Sequence, residues 1–184
     1  MLKKYLFLYL SVLSFSSKSQ EIISPDSFLG YELGTVFSRH HQVVDYFNYL
    51  DLNSDKVKVE SYGKSNEGRI LQLAYISSPE NLKDIEKIRR NHLNNSESEN
   101  DKLDSDKVIV WLSYNVHGNE SSSTEASMKT VYNLITNYKN WLTNTIVIID
   151  PCINPDGRDR YVNWYKQKKR LQYNPNSFSR EHEE

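Results

Sequence analysis

The sequence predicts an α/β fold with parallel central strands, and three consecutive segments carry that prediction. Val108–Tyr114 is a nearly continuous apolar run, the pattern of a strand buried on both faces. Ser122–Asn137 follows with Ala126, Val131, Leu134 and Ile135 on one helical face, behind a Ser-x-x-Glu start (Ser122, Glu125) that reads as a capping box. Thr145–Asp150 repeats the buried-strand pattern. Strand, helix and strand with a crossover of this length form a βαβ unit, whose two strands run parallel.

The elements ahead of this unit follow from periodicity. Val36, His40, Val43, Val44, Phe47 and Leu50 recur at helical spacing, predicting an amphipathic helix over Ser38–Asp51. Val57–Ser61 and Ile70–Ile76 read as the strands of a hairpin joined by the turn Gly63–Gly68. Asn81–Arg90 is a short helix. The run from Asn91 to Lys107, rich in Asn, Ser, Asp and Glu, is a surface loop. From Arg158 onward the chain is polar and basic without a clear period.

Composition narrows the function. The 184 residues hold 23 Lys+Arg against 24 Asp+Glu, a balance without the basic excess that phosphate neutralisation needs, so a nucleic-acid partner is excluded. A single cysteine, Cys152, cannot form an intrachain disulfide. Residues 1–19 have the layout of a secretory signal peptide: Lys3-Lys4, a short apolar run, then Ser17 and Ser19 ahead of a cut before Gln20. The apolar run is shorter than the roughly 20 residues of a spanning helix. The protein is therefore expected to be secreted or periplasmic, with residues 20–184 as the mature part of the chain.

In open α/β sheets ligands bind beyond the carboxyl ends of the strands. Asn115–Glu120 lies there, between the first buried strand and its helix, and Asn154–Arg160 lies just past the second. His117 and Glu120 offer an imidazole nitrogen and a carboxylate, both good zinc ligands at about 2.0–2.2 Å. Three positions apart at a strand-to-helix junction they can converge on one ion, and Gly118 lets the backbone bend between them. The competing reading is a loop-bonded histidine and a helix-capping glutamate. Asn154-Pro155-Asp156-Gly157 reads equally as an ordinary turn, but Arg158 and Arg160 beside it can polarise a carbonyl or hold a carboxylate.

The segments Gly63-Lys-Ser-Asn-Glu-Gly-Arg69, His117-Gly-Asn-Glu120 and Asn154-Pro-Asp-Gly157 together resemble the ordered landmarks of zinc carboxypeptidases of the carboxypeptidase A type (peptidase family M14). The resemblance runs from about Thr35 to Tyr165. It implies an α/β/α sandwich around a mixed, centrally parallel sheet, Zn2+ as cofactor, and hydrolysis of the C-terminal bonds of peptide or protein substrates. His117 and Glu120 are then the first two zinc ligands, and Arg160, with Arg158 in reserve, steadies the carbonyl oxygen in the transition state. The family's third ligand is a later histidine and its general base a still later glutamate. Neither is matched here, since the one histidine after Glu120 is His182, in a polar terminal run. The chain is accordingly expected to be an N-terminal portion with little peptidase activity alone and a pairable sheet edge. Two rivals differ in kind: a non-catalytic peptide- or glycan-binding module on the same fold, and a cell-wall peptide amidase using the same first ligands.

Other features have plainer readings. His40 sits on the apolar side of its helix and is expected to pack rather than bind metal. Gly63-Lys64-Ser65 follows a strand and opens no helix, which excludes a phosphate-binding loop. Lys166–Arg170 is a solvated basic run. Tyr161, Trp164 and Tyr165 can line a cleft or pack in the core.

Overall fold

The computed structural model describes residues 21–97 and 107–171. The expected signal peptide, most of the expected acidic loop and His182 lie outside the described residues. Among those described, no helix is long and apolar enough to cross a membrane.

The chain opens with α1 (Pro25–Leu29). Ser24 caps it by accepting the Ser27 N–H at 3.2 Å, and Gly30 ends it in the left-handed conformation that glycine adopts without strain. Helix α2 (His40–Asn53) buries His40, Val43, Tyr46, Phe47 and Leu50 along one stripe. Its first turn is closed by Gln42, which accepts the Arg39 N–H at 2.8 Å. Strands β1 (Val57–Lys64) and β2 (Ile70–Ile76) form an antiparallel hairpin with a bulge between Ser61 and Gly63. Helices α3 (Pro79–Lys83) and α4 (Ile85–Glu97) follow. The loop expected from Asn91 therefore begins inside a helix: Asn and Ser are weak helix formers, but Ile88 anchors α4 in the interior.

Strand β3 (Val108–Ser113), helix α5 (Ser123–Thr136), a 3₁₀ turn (Lys139–Thr143) and strand β4 (Thr145–Asp150) form the expected βαβ unit. β3 and β4 are parallel, with Val108 opposite Thr145 and Ser113 opposite Asp150. β4 also pairs antiparallel with β2, giving a mixed sheet in the order β1-β2-β4-β3. Val57, Ala74, Ile76, Val147 and Ile149 share one face and pack against Tyr46, Phe47 and Leu50 of α2 and Met128, Val131 and Ile135 of α5. That cluster is the core.

Two expectations are corrected. β3 is not buried on both faces. Among the described residues it pairs only with β4, and Val108 and Trp111 stand 55% and 60% exposed. An apolar run fits two covered faces but does not itself supply the covering elements. The described segment from Arg158 onward, polar and basic without a clear period, is helical: it belongs to α6 (Pro155–Leu171), the longest helix described, and Pro155-Asp156-Gly157, which reads as an ordinary turn, is its first turn.

Candidate metal centre

The two loops expected to meet do so as a continuation of the sheet. Beyond the last β3–β4 pair, the Tyr114 N–H reaches the Asp150 carbonyl at 2.9 Å, the Ile153 N–H the Tyr114 carbonyl at 3.0 Å, and the Asn154 N–H the Asn115 carbonyl at 3.2 Å. Asn115 then turns the chain out of the ladder with φ = 57°, a left-handed conformation that asparagine tolerates better than most residues. It is buried, and each of its polar groups is engaged. Its N–H donates to Ser123 Oγ (2.8 Å), its Oδ1 accepts from the Thr124 hydroxyl (3.1 Å), and its Nδ2 donates to the Asn154 carbonyl (3.1 Å).

His117 and Glu120 follow this pivot and converge. His117 Nδ1 lies 3.1 Å from Glu120 Oε1, while Glu120 Oε2 accepts the His117 backbone N–H at 3.0 Å. That N–H, and then the imidazole, hold the Glu120 carboxyl below the usual range. The His117 side chain is 74% exposed. The imidazole nitrogen and the carboxylate oxygen thus meet in a hydrogen bond open to solvent, and both are atom types that zinc takes as ligands. Among the described residues no group of three His, Cys, Asp or Glu side chains gathers to complete it.

Gly118 is needed for its small size and not for the bend expected of it, since its φ lies outside the left-handed region. A Cβ built on it would stand 2.1 Å from the Gly157 carbonyl oxygen in the first turn of α6. The two motifs touch backbone to backbone.

The third motif locks onto the second. Asp156 accepts the Ser65 hydroxyl at 2.6 Å, the Glu67 N–H at 3.1 Å and Arg69 Nη1 at 2.6 Å; Arg69 Nε also reaches Asp159 at 3.0 Å, and its Nη1 pairs with Glu67. Burial alone raises the Asp156 carboxyl, yet the Ser65 hydroxyl and Arg69 together hold it below its ordinary value. The hairpin turn is thus pinned to α6, which is pinned to the His117 loop.

The two candidate arginines part company. Arg158 is wholly buried; its Nη2 pairs with both Glu125 oxygens (2.7 and 2.9 Å), Nη1 reaches the Ser121 carbonyl (2.7 Å) and Nε the Ser38 carbonyl (3.0 Å). A guanidinium so committed fastens α6 beneath the site and leaves nothing for a substrate. Arg160 is 69% exposed and bonds Glu67 Oε1 through Nη2 (2.6 Å) and Nε (3.1 Å). It lies on the flank of α6 facing the hairpin.

Glu125 corrects the expected capping box. Ser122 makes no side-chain cap, and Glu125 turns inward to accept Arg158 and the Ser38 N–H (2.6 Å). His40 packs as expected, bonded through Nε2 to the Ile70 carbonyl at 2.7 Å. Cys152 is buried and its thiol is pushed up to about 12, which leaves it unreactive. Tyr161 and Tyr165 pack on Phe37, at ring-centroid separations of 5.6 and 4.6 Å. Asn115 and Asn154 are the site residues whose importance pattern reading missed. An asparagine directly after a strand, where the chain must turn sharply, was the available signal for the first.

The sequence model of the zinc carboxypeptidase family matches residues 43–180. No curated protein matches the chain. Among solved structures, carboxypeptidase A from Helicoverpa armigera superposes with a TM-score of 0.54 at 19% identity, over 77% of this chain and 29% of that one. Bovine thrombin-activatable fibrinolysis inhibitor, solved in complex with tick carboxypeptidase inhibitor, superposes with a TM-score of 0.50 at 19% identity, over 72% and 35%. At such identity the likeness is one of fold. The chain spans about a third of the length of these two structures.

Proposed function

The chain belongs to the zinc carboxypeptidase family, and on that premise we propose that it contributes the first part of an exported metallocarboxypeptidase active site, with His117 and Glu120 as zinc ligands. The observation that carries the reading is their convergence at the carboxyl end of the parallel strand pair, Nδ1 to Oε1 at 3.1 Å, with both side chains open to solvent. Zinc bound there supplies polarisation of a peptide carbonyl and a lowered pKa for water.

The remaining chemistry falls to the protein's own groups. His117 presents Nδ1 as an imidazole nitrogen ligand. Glu120, held ionised by the His117 N–H, supplies negative charge at neutral pH. Arg160 exchanges its exposed carboxylate partner Glu67 for the carbonyl oxygen or carboxylate of a substrate. The substrate class is the C-terminus of peptides or proteins, and export rests on residues 1–19.

Zinc titration of the full chain, paired with assay of amino-acid release from a peptide C-terminus, tests the proposal. His117→Ala is expected to abolish specific zinc uptake. Arg160→Ala is expected to leave that uptake unchanged and to depress whatever turnover the chain has. Since the described residues gather two ligands only, zinc binding is expected to be weak and turnover of the isolated chain slow. Zinc uptake unaffected by His117→Ala would sink the assignment. Release from cell-wall peptides alone would move it to the amidase reading.

A further inference from the structure

We propose that Asn154 is a positioning residue that sets the orientation of His117. The inference rests on the reading of His117 as a metal ligand, and it comes from an excess of bonding at one side chain. As the residue preceding α6, Asn154 needs only an acceptor: its Oδ1 takes the Gly157 N–H at 3.0 Å, the ordinary duty of a helix-capping side chain. A serine meets that need as well. Capping leaves the other end of the amide unexplained, and that end reaches across. Asn154 Nδ2 donates to the Val116 carbonyl at 3.2 Å, the peptide that leads directly into His117. The Asn154 backbone meanwhile holds Asn115 from both sides, N–H to carbonyl at 3.2 Å and carbonyl to Nδ2 at 3.1 Å.

His117 needs such a hold. Its side chain is 74% exposed, so no packed wall fixes the imidazole, and the contact it makes is with Glu120, itself half-exposed. The direction of the ring is then set by its backbone. That backbone leaves a left-handed pivot at Asn115 and runs through the Val116 peptide before reaching the ring. The Nδ2 bond to Val116 is a hydrogen bond from another element onto the very peptide that carries the ligand. Groups that orient metal ligands through a hydrogen bond typically change metal affinity about 10–100-fold when removed.

Two variants separate positioning from capping. Asn154→Ser keeps an acceptor for the Gly157 N–H and withdraws the reach to Val116. Asn154→Asp keeps shape and cap, and its negative charge favours a nearby cation, so weaker metal binding by this variant cannot be blamed on electrostatics. Both are expected to retain the wild-type urea midpoint without metal. In the metal-free full chain at pH 8, 15N NMR of the wild-type His117 ring is expected to show the Nδ1–H tautomer donating to Glu120, and both variants an average over tautomers. Zinc affinity, read by competition with a chromophoric chelator, is expected to fall about 10–100-fold in both. Wild-type tautomer or wild-type zinc affinity in the two variants overturns the inference. If the wild-type chain holds zinc no better than His117→Ala, it is the metal reading that falls, while the tautomer result still decides whether Asn154 orients the ring.

Discussion

At the scale of single residues, the site depends on a side chain that is missing. Gly118 has no room for a methyl group, because the opposing atom is a backbone carbonyl that cannot rotate away. Gly118→Ala is expected to push the His117 loop off α6, to cost about 1–3 kcal/mol of stability by overpacking, and to abolish zinc uptake; urea unfolding and metal titration check the two effects separately. His40 supplies a pH dependence. Burial depresses its pKa and Arg69 pushes the same way, while the Ile70 carbonyl, Asp159 and Asp156 act in the other direction without reversing the shift. The unfolded chain therefore takes up a proton near pH 6.5 that the folded one refuses, so stability is full above that value and declines as pH falls below it. Urea midpoints between pH 5 and 8 should show this slope in the wild type and a flatter one in His40→Gln, whose amide can still donate to the Ile70 carbonyl. A slope unchanged by the substitution would assign the dependence to other groups.

At the scale of elements, α6 is held by charge where most helices are held by apolar packing. Its inward positions are Pro155, Arg158 and Val162, so the residue that should mark the helical period is an arginine, which defeats a search for apolar spacing. The Ser-x-x-Glu pattern at α5 misled for the same reason: Glu125 is consumed as the partner of that buried arginine. Elements set by local chemistry were readable from the sequence. The hairpin strands, α2, α5 and the βαβ crossover fall within a few residues of their expected bounds, and so do both loops of the site. What escaped depends on partners remote in sequence, since Arg158 meets Ser38 across 120 positions. Breaking the buried pair on one side, as in Arg158→Met, leaves an uncompensated carboxylate and is expected to cost about 3–5 kcal/mol. The double variant Arg158→Met/Glu125→Leu should recover part of that loss by chemical denaturation.

At the scale of the whole molecule, the sheet is lopsided. One face is sealed by α2 and α5, while Trp111, Ile148 and Tyr75 line up across β3, β4 and β2 on the other, from exposed to partly buried. The sequence announced β3 as an interior strand, and its composition is indeed that of one. With a single neighbour among the described residues, its outer edge offers unpaired backbone groups beside an exposed tryptophan. The isolated chain is expected to self-associate as concentration rises, and Trp111→Lys to suppress this in light scattering. Undiminished association in that variant would place the adhesive surface elsewhere.

The rungs that continue past the ends of β3 and β4 carry one more consequence. Although Ile153 and Asn154 lie outside any strand, their amide hydrogens are laced into the same ladder as the core. They should trade with deuterium as slowly as the amides of β4, so the mouth of the candidate site opens only when the sheet itself comes apart.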